Sequence, residues 1–167
     1  TFRDDFDSKN LNLEWNFRRV PQKGTYLINH KDGFLRLFSS KNVIENRKGC
    51  SLLGIRQIET DFEFSVKMLY NPTIQGGQAG ISLFQKDNNY FTFTVEKNKE
   101  NHVLKLLLKE RKKEPVVIHQ TFIKSYNGSI TFKVNSENNS YNFYYSLDDG
   151  NSYKSFLETG SDKILSN

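Results

Sequence analysis

Cysteine, histidine and long apolar runs are scarce in this sequence. The only cysteine, Cys50, cannot form a disulfide within the chain, and it is typical of a small buried apolar residue rather than of a nucleophile. The three histidines, His30, His102 and His119, have no metal-ligand spacing and form no Ser-His-Asp pattern. The longest apolar run is far shorter than the ~18 residues of a membrane span. These absences argue against thiol chemistry, a histidine metal site and a membrane helix.

A strong charge of one sign is also lacking. The net charge of +5 is mild for 167 residues, and it arises partly from the polar run 109–114, which we expect to be a solvated loop or hairpin tip. Proteins that bind nucleic acid usually have a broad basic face and a recognisable docking element. The sequence has neither, so we expect neither nucleic acid nor a membrane as its partner.

Aromatic residues, by contrast, are abundant, with 14 Phe and 8 Tyr. They favour pleated, half-buried surfaces, and the length suits one domain with a proper core. Alternating apolar and polar residues predict strands over residues 15–20, 26–29, 34–38, 58–70, 79–85, 90–96, 103–109, 116–122, 129–135, 141–147 and 153–157. Turn signals separate them, among them 86–89 and Asp149-Gly150. We therefore predict a single all-β domain over 1–167, a two-sheet antiparallel sandwich of jelly-roll type.

One segment has two interpretations. Residues 102–114 would form an amphipathic helix ended by Pro115, or a strand within an antiparallel meander. The segments on both sides are predicted strands, and a central strand can be buried on both faces. We therefore predict a strand here.

Several short motifs follow one another in an order that resembles a known module. They lie at residues 2–7, 13–18, 51–57, 61–63, 71–81, 84–90 and 141–150, so the likeness extends in the right order over essentially the whole chain. Among them are SLLGIRQ at 51–57, GGQAGI at 76–81 and YNFYYSLDDG at 141–150. Each motif alone is explained by the residues that turns require, but their order along the chain is more specific for one family. It resembles the concanavalin A-like module at the C-terminus of glycoside hydrolase family 43 β-xylosidases and arabinofuranosidases.

The resemblance implies an accessory β-sandwich without chemistry of its own. In that family the module packs on a catalytic five-bladed propeller of the same parent chain and helps to shape its substrate pocket. Xylan or arabinoxylan would be the parent's polysaccharide, and no cofactor would be required. The family pattern continues with an aromatic- and glycine-rich last strand, whereas this sequence stops at Asn167, so we expect that strand to be missing.

Two other functions remain open. The second is a stand-alone carbohydrate-binding, lectin-like module, and the third is a retaining β-glycanase. The chain begins at Thr1 without a methionine, so we expect a processed chain or an excised piece of a larger protein. Its start does not reveal a localisation, although an extracellular or periplasmic location is favoured over a cytoplasmic one.

The glycanase alternative depends on three alternating carboxylates, Glu59, Asp61 and Glu63, which would share one face of a strand. A retaining pair needs carboxyl groups about 5–5.5 Å apart. Residues four apart on a regular strand are about 13 Å apart at ~3.3 Å per residue, so these side chains would have to lean strongly together. The simpler interpretation is that the apolar residues between them, from Phe62 to Met68, point into the core while the acids face water.

A sugar-binding surface is predicted from aromatic and amide residues on two strands. The candidates are Tyr90, Tyr141, Phe143, Tyr145, Asn89 and Gln78. Exposed rings would stack on pyranose faces while the amides reach hydroxyls. About half of the aromatic residues must instead fill the space between the sheets. Tyr144 lies on the opposite face of its strand, and the sequence leaves open which face is exposed.

Two further sites are candidates. Acidic residues near the two ends of the sequence would hold a structural calcium ion if their strands were adjacent, because Ca²⁺ takes six to eight oxygen ligands; they are Asp5, Asp7, Asp148 and Asp149. Asp-Gly at 149–150 is equally expected of a hairpin turn. Arg56 and Gln57, in the best-matched motif, would pin a loop to the sheet or line the contact with a propeller.

Overall fold

The computed structural model describes residues 1–46, 49–138 and 140–159. Within these ranges the chain forms strands and no helix, so no described helix could cross a membrane. The strands are β1 (Asn16–Phe17), β2 (Tyr26–Lys31), β3 (Phe34–Leu37), β4 (Leu53–Gly54), β5 (Phe62–Leu69), β6 (Gln78–Lys86), β7 (Asn89–Asn98), β8 (Asn101–Glu110), β9 (Val116–Ile123), β10 (Ser129–Glu137), β11 (Ser140–Ser146) and β12 (Lys154–Thr159). The predicted all-β fold is confirmed.

The chain divides into two compact units, Thr1–Ile58 and Glu59–Asn167. The second unit contains two four-stranded antiparallel sheets. One has the order β12-β11-β10-β5 and is called the β10 sheet here, and the other has the order β6-β7-β8-β9 and is called the β7 sheet. The two sheets form the predicted antiparallel sandwich. The predicted single domain stays a prediction, as does the missing last strand, because residues 160–167 lie outside the described ones.

The core of the second unit is built from the inward-facing residues of its strands, and the alternation is strict in β5. In β5, Phe62, Phe64, Val66 and Met68 pack against the buried cluster, as the sequence predicted. Phe93 of β7 is fully buried and lies 4.9 Å from Phe132 and 4.8 Å from Phe156 between ring centroids. Burying one such side chain contributes roughly 1.5–3 kcal/mol. Interdigitating aromatic rings therefore hold the two sheets together.

The ambiguous segment is a strand, as predicted. β8 pairs with β7 from Asn101↔Asn98 to Glu110↔Asn89, and β9 pairs on its other side. Leu104, Leu106 and Leu108 are buried between the sheets. Both edges of β8 are hydrogen-bonded to neighbouring strands, which satisfies its backbone groups as a helix would have done. The strand pairing on both sides overrides the local helical pattern.

The first unit contains two small sheets, β1 with β4 and β2 with β3. Trp15, directly before β1, donates a hydrogen bond from its indole N–H to Asp4 Oδ2 over 2.7 Å. Its ring stacks on Phe6 at 5.6 Å and meets the edge of Phe2 at 5.5 Å. The motif at 2–7 is therefore organised around this tryptophan.

Two predicted strands differ most from the observed ones. The strand predicted over 15–20 spans only Asn16–Phe17, and the one predicted from residue 58 begins at Phe62. β4 was not predicted, because a paired segment of two residues has no alternation to detect. Its partner is β1, through Phe17↔Leu53 and Asn16↔Gly54.

Candidate functional site

The three carboxylates of the predicted glycanase site do not lie on one strand. Glu59 and Asp61 are exposed and precede β5, and only Glu63 belongs to it. Glu63 pairs with Lys133 of β10, with 3.7 Å between Oε2 and Nζ. The predicted shared face is therefore wrong, because the strand starts after the first two acids. A catalytic role for these residues stays a prediction.

Two of the predicted sugar-binding rings fill the core. Tyr141 is 4% exposed and Phe143 is 1% exposed. Phe143 contacts Phe91 and Phe93 of the opposite sheet, with ring centroids 5.8 Å and 5.6 Å apart. The expected sugar stacking is wrong for these two residues, because their face of β11 points to the other sheet. Tyr145, on the same face, packs partly buried against the same core.

The other predicted sugar-binding residues lie in the β7 sheet. Tyr90 and Asn89 are buried at the hairpin between β6 and β7, and Asn89 Nδ2 donates to Gln85 Oε1 over 2.7 Å. Burial leaves both unable to contact a sugar, so the prediction is wrong for them as well. Gln78 is exposed, and its Oε1 accepts a hydrogen bond from Thr94 Oγ1 over 3.4 Å.

A different group of side chains occupies the outer face of the β10 sheet. Lys133 Nζ lies 5.1 Å from the ring centroid of Tyr144 and 4.2 Å from that of Tyr153. We call Lys133, Tyr144, Tyr153 and the paired Glu63 the lysine–tyrosine cluster. A cation over an aromatic face is attracted by the ring quadrupole, by about 0.5–1 kcal/mol at exposed sites. The sequence pattern predicted that Tyr144 lies on the other face of β11 from Tyr141, Phe143 and Tyr145. It did not indicate that Lys133 would contact Tyr144.

Three of the four predicted calcium ligands, Asp5, Asp148 and Asp149, have protein partners. Arg3 donates to both oxygens of Asp5, over 2.9 to 3.2 Å, and these hydrogen bonds lower the pKa of that carboxyl. Asp149 pairs with Lys67 over 2.9 Å and has a left-handed backbone (φ 60°). In the described part of the chain no group of three or more His, Cys, Asp or Glu side chains could hold a metal ion. The calcium site, including Asp7, stays a prediction.

Asp148 organises the turn between β11 and β12. Its Oδ1 accepts hydrogen bonds from Ser146 Oγ (2.6 Å) and from the Ser152 backbone N–H (2.9 Å), and its Oδ2 accepts one from Ser152 Oγ (2.6 Å). These hydrogen bonds lower the pKa of Asp148 to about 2. The Asp148 carboxylate therefore stabilises the turn, because its oxygen atoms accept hydrogen bonds from donors of the same loop.

Arg56 and Gln57 are exposed and follow β4 in the first unit. Neither belongs to a strand. Their predicted roles in pinning a loop or contacting a propeller stay predictions.

An exposed apolar strand borders the β7 sheet. β9 pairs with β8, and no other described strand pairs with it. Phe122 is 63% exposed and Val116 54%, and Val117 and Ile118 are also exposed. Edge strands are commonly protected by lysine, proline or charge. We call these four residues the β9 edge.

Residues 3–167 match the family described as the beta xylosidase C-terminal concanavalin A-like domain. Among curated proteins, the chain is 27% identical over 115 residues to a non-reducing end alpha-L-arabinofuranosidase of Bacteroides ovatus, covering 69% of this chain and 21% of that protein. It is 36% identical over 75 residues to a xylosidase/arabinosidase of Butyrivibrio fibrisolvens, covering 45% and 14%.

Among solved structures, the fold is similar to that of the GH43 protein BlXynB from Bacillus licheniformis, with a TM-score of 0.88 and 23% identity. That match covers 97% of this chain and 31% of the other chain. The chain thus spans less than a third of the relatives' length. With a family match that extends from residue 3 to residue 167, the chain belongs to the C-terminal concanavalin A-like domains of the beta-xylosidase type.

Proposed function

We propose that this chain is a non-catalytic accessory module of a glycoside hydrolase that acts on xylan or arabinoxylan-type polysaccharide. It packs on a catalytic propeller domain of the same parent chain and helps to shape the substrate pocket. The relatives support this proposal, because they are xylosidases and arabinofuranosidases of which the chain matches only the smaller part.

The β9 edge is the observation that carries the proposal. Four apolar side chains are exposed along one strand, whose outer edge has no described partner. Exposed apolar surface of this kind usually marks a contact with another domain or protein. The occupant we infer is the remainder of the parent chain, since the match with BlXynB leaves about two thirds of that protein outside it.

The chain's own carboxylates support the non-catalytic part of the proposal. Glu59 precedes β5 and Glu63 lies within it, and the ammonium group of Lys133 is the neighbour of Glu63. Retaining hydrolysis needs two carboxyl groups that face one sugar at about 5–5.5 Å from each other. Two acids on different backbone segments of an open surface are poorly suited to that geometry.

The gene itself offers the most direct test. A propeller with inward-facing carboxylates encoded immediately upstream of Thr1 would support the proposal. If a signal peptide directly precedes Thr1 instead, the accessory role is wrong and the stand-alone carbohydrate-binding module becomes the better hypothesis.

A second test uses the full-length parent protein. We expect Val117→Ser with Phe122→Ser to weaken the contact between module and propeller and to lower activity on aryl xylosides and arabinofuranosides several-fold. Ile74→Ser is the matched control, because Ile74 is 75% exposed and lies outside β9. Equal activity of all three proteins would exclude the β9 edge as the contact.

The glycanase alternative has its own test. If the chain alone hydrolyses β-glycans, replacing Glu59 or Glu63 by Gln should abolish turnover, since each would be an essential member of the pair. We expect the isolated chain to release no reducing sugar from xylan or β-glucan, with or without these substitutions.

A further inference from the structure

We propose that the outer face of the β10 sheet carries a binding site for a neutral oligosaccharide, centred on the lysine–tyrosine cluster. The proposal does not depend on the β9 edge, which belongs to the other sheet. It also replaces the predicted sugar site, most of whose residues are buried.

The register of three strands brings the cluster together. Lys133 is opposite Ser65 of β5 on one side and opposite Tyr144 of β11 on the other. Tyr153 directly precedes β12, and its ring lies on the same ammonium group as the ring of Tyr144. Lys133 is thereby reduced to 21% side-chain exposure. Two aromatic rings are thus held in fixed positions on a solvent-facing sheet, and held rings lose little freedom when a ligand stacks on them.

The charges of this face indicate an uncharged ligand. Lys133 is paired with Glu63, and Lys67, one row along β5, is paired with Asp149. Each ammonium group already has a carboxylate, so neither a phosphate nor a uronic acid would find an unmatched cation. Glu63 is 61% exposed and can accept hydrogen bonds from a sugar hydroxyl, while Lys133 can donate to a neighbouring one.

A row of amides borders the rings. Asn135 is opposite Glu63 on one side and opposite Asn142 on the other, two residues along the strands from Lys133 and Tyr144. That step is about 7 Å along a strand. The side chains of Asn135 and Asn142 are partly exposed. An amide group can donate a hydrogen bond to a sugar hydroxyl or accept one from it.

Aromatic rings, the Glu63–Lys133 ion pair and neighbouring amides are together the kinds of group that orient a sugar. The apolar face of a pyranose stacks on a tyrosine ring, and a few polar groups around it select the hydroxyl pattern. The curated relatives are an arabinofuranosidase and a xylosidase/arabinosidase, so xylo-oligosaccharides are the first ligands to test.

The experiment is a calorimetric titration of the 167-residue chain with xylohexaose, cellohexaose and a hexamer of galacturonic acid. We expect binding of at least one neutral hexamer and no tighter binding of the acidic one. Tyr153→Ala and Glu63→Gln should each weaken binding about tenfold. Glu59→Gln is the matched control, because it is the same substitution four residues earlier, outside β5, and it should leave the affinity unchanged.

Two-dimensional NMR of the wild-type chain keeps the test independent of whether Tyr153→Ala folds. We expect the ligand-induced shifts to be largest at residues 133, 135, 144 and 153. No neutral ligand binding up to about 10 mM, where even a weak site would fill, would overturn the proposal. Binding with shifts confined to other residues, or unaffected by Glu63→Gln and Tyr153→Ala, would overturn it equally.

Discussion

Asp148 illustrates how one short side chain can specify a turn. Three donors from Ser146 and Ser152 converge on its carboxylate, and Asp149 next to it adopts a left-handed backbone. The sequence predicted the turn from Asp-Gly at 149–150 and considered the aspartates as calcium ligands. It did not indicate that hydroxyl groups of the same loop would be the partners, because that depends on the exact path of the turn.

Asp148→Asn should change the dependence of stability on pH. The pKa of Asp148 is lowered from 3.8 to about 2 in the folded chain, so its stabilisation is complete above 3.8 and is lost as the pH falls toward about 2. We expect the melting temperature of the variant to lie below that of the wild type at about pH 6, and the difference to close between about pH 4 and pH 2.

Circular dichroism melts across this pH range measure the effect. Asp61→Asn, at an exposed position before β5, is the control and should show no such convergence. A constant difference between Asp148→Asn and the wild type at every pH would contradict the assigned role.

Gly80 is a second position where one residue decides the local structure. A Cβ at Gly80 would lie 2.7 Å from Thr94 Cα, and the carbonyl oxygen of Phe93 would be closer still. Backbone atoms of β7 cannot move aside as a flexible side chain could. We expect Gly80→Ala to cost about 1–3 kcal/mol in the free energy of unfolding, measured by urea titration.

Gly54→Ala is the matched control for that measurement. Apart from Gly54 itself and its two chain neighbours, no described residue has an atom within 4 Å of a Cβ built there. Its effect should stay within about 0.5 kcal/mol. Similar losses in the two variants would show that the approach of β7 is not the cause.

At the scale of the element, β11 shows what alternation can and cannot predict. Its span was predicted almost to the residue, because every second position is apolar or aromatic. Both of its faces carry tyrosine, so the pattern does not predict which face is buried. The face that was predicted to bind sugar is the one that faces the core. The buried face is determined by the opposite sheet, where Phe143 packs against Phe91 and Phe93.

The other elements divide in the same way. Long alternating strands such as β7 and β10 could be predicted, whereas β4, with two residues, could not. The lysine–tyrosine cluster requires the register of β5, β10 and β11 together with the position of Tyr153 before β12. No local pattern contains that register, so the sequence could identify the fold but not this candidate site.

β9 is the strand through which we expect the isolated chain to self-associate. An exposed edge with Val116, Val117 and Ile118 is a template for pairing with another copy of the chain. We expect the isolated chain to self-associate as its concentration rises, and Val117→Lys to reduce this association at least several-fold, because a charged edge resists pairing. Light scattering after size-exclusion chromatography measures it.

Ile74→Lys provides the comparison, since it adds the same charge at an exposed apolar residue outside β9. If both lysine variants reduce self-association equally, net charge and not the β9 edge is responsible.

At the scale of the whole molecule, the two units differ in how their strands are supported. Strands β7, β8 and β10 have hydrogen-bonded neighbours on both sides and bury fully covered residues such as Phe93, Leu106 and Phe132. In the first unit, β1 and β4 pair over two residues only. Local opening is cheapest where few buried contacts and few strand hydrogen bonds must break.

Native-state hydrogen exchange should follow this difference. We expect the amides of Phe93, Leu106 and Phe132 to exchange at least about a hundredfold more slowly than that of Phe17, since an extra ~2.7 kcal/mol of opening free energy suffices for that factor. Uniform protection across both units would mean that β1 and β4 open only when the sandwich unfolds.

The position of Trp15 has a spectroscopic consequence. It is the only tryptophan, and it lies in the first unit against Phe2 and Phe6, with its indole N–H on Asp4. Every tyrosine except Tyr26 belongs to the second unit. Indole emission excited at the red edge therefore reports the N-terminal unit alone, and the tyrosine bands of near-ultraviolet dichroism report mainly the sandwich. The chain thus contains a separate spectroscopic probe for each unit, and no residue has to be substituted to introduce one.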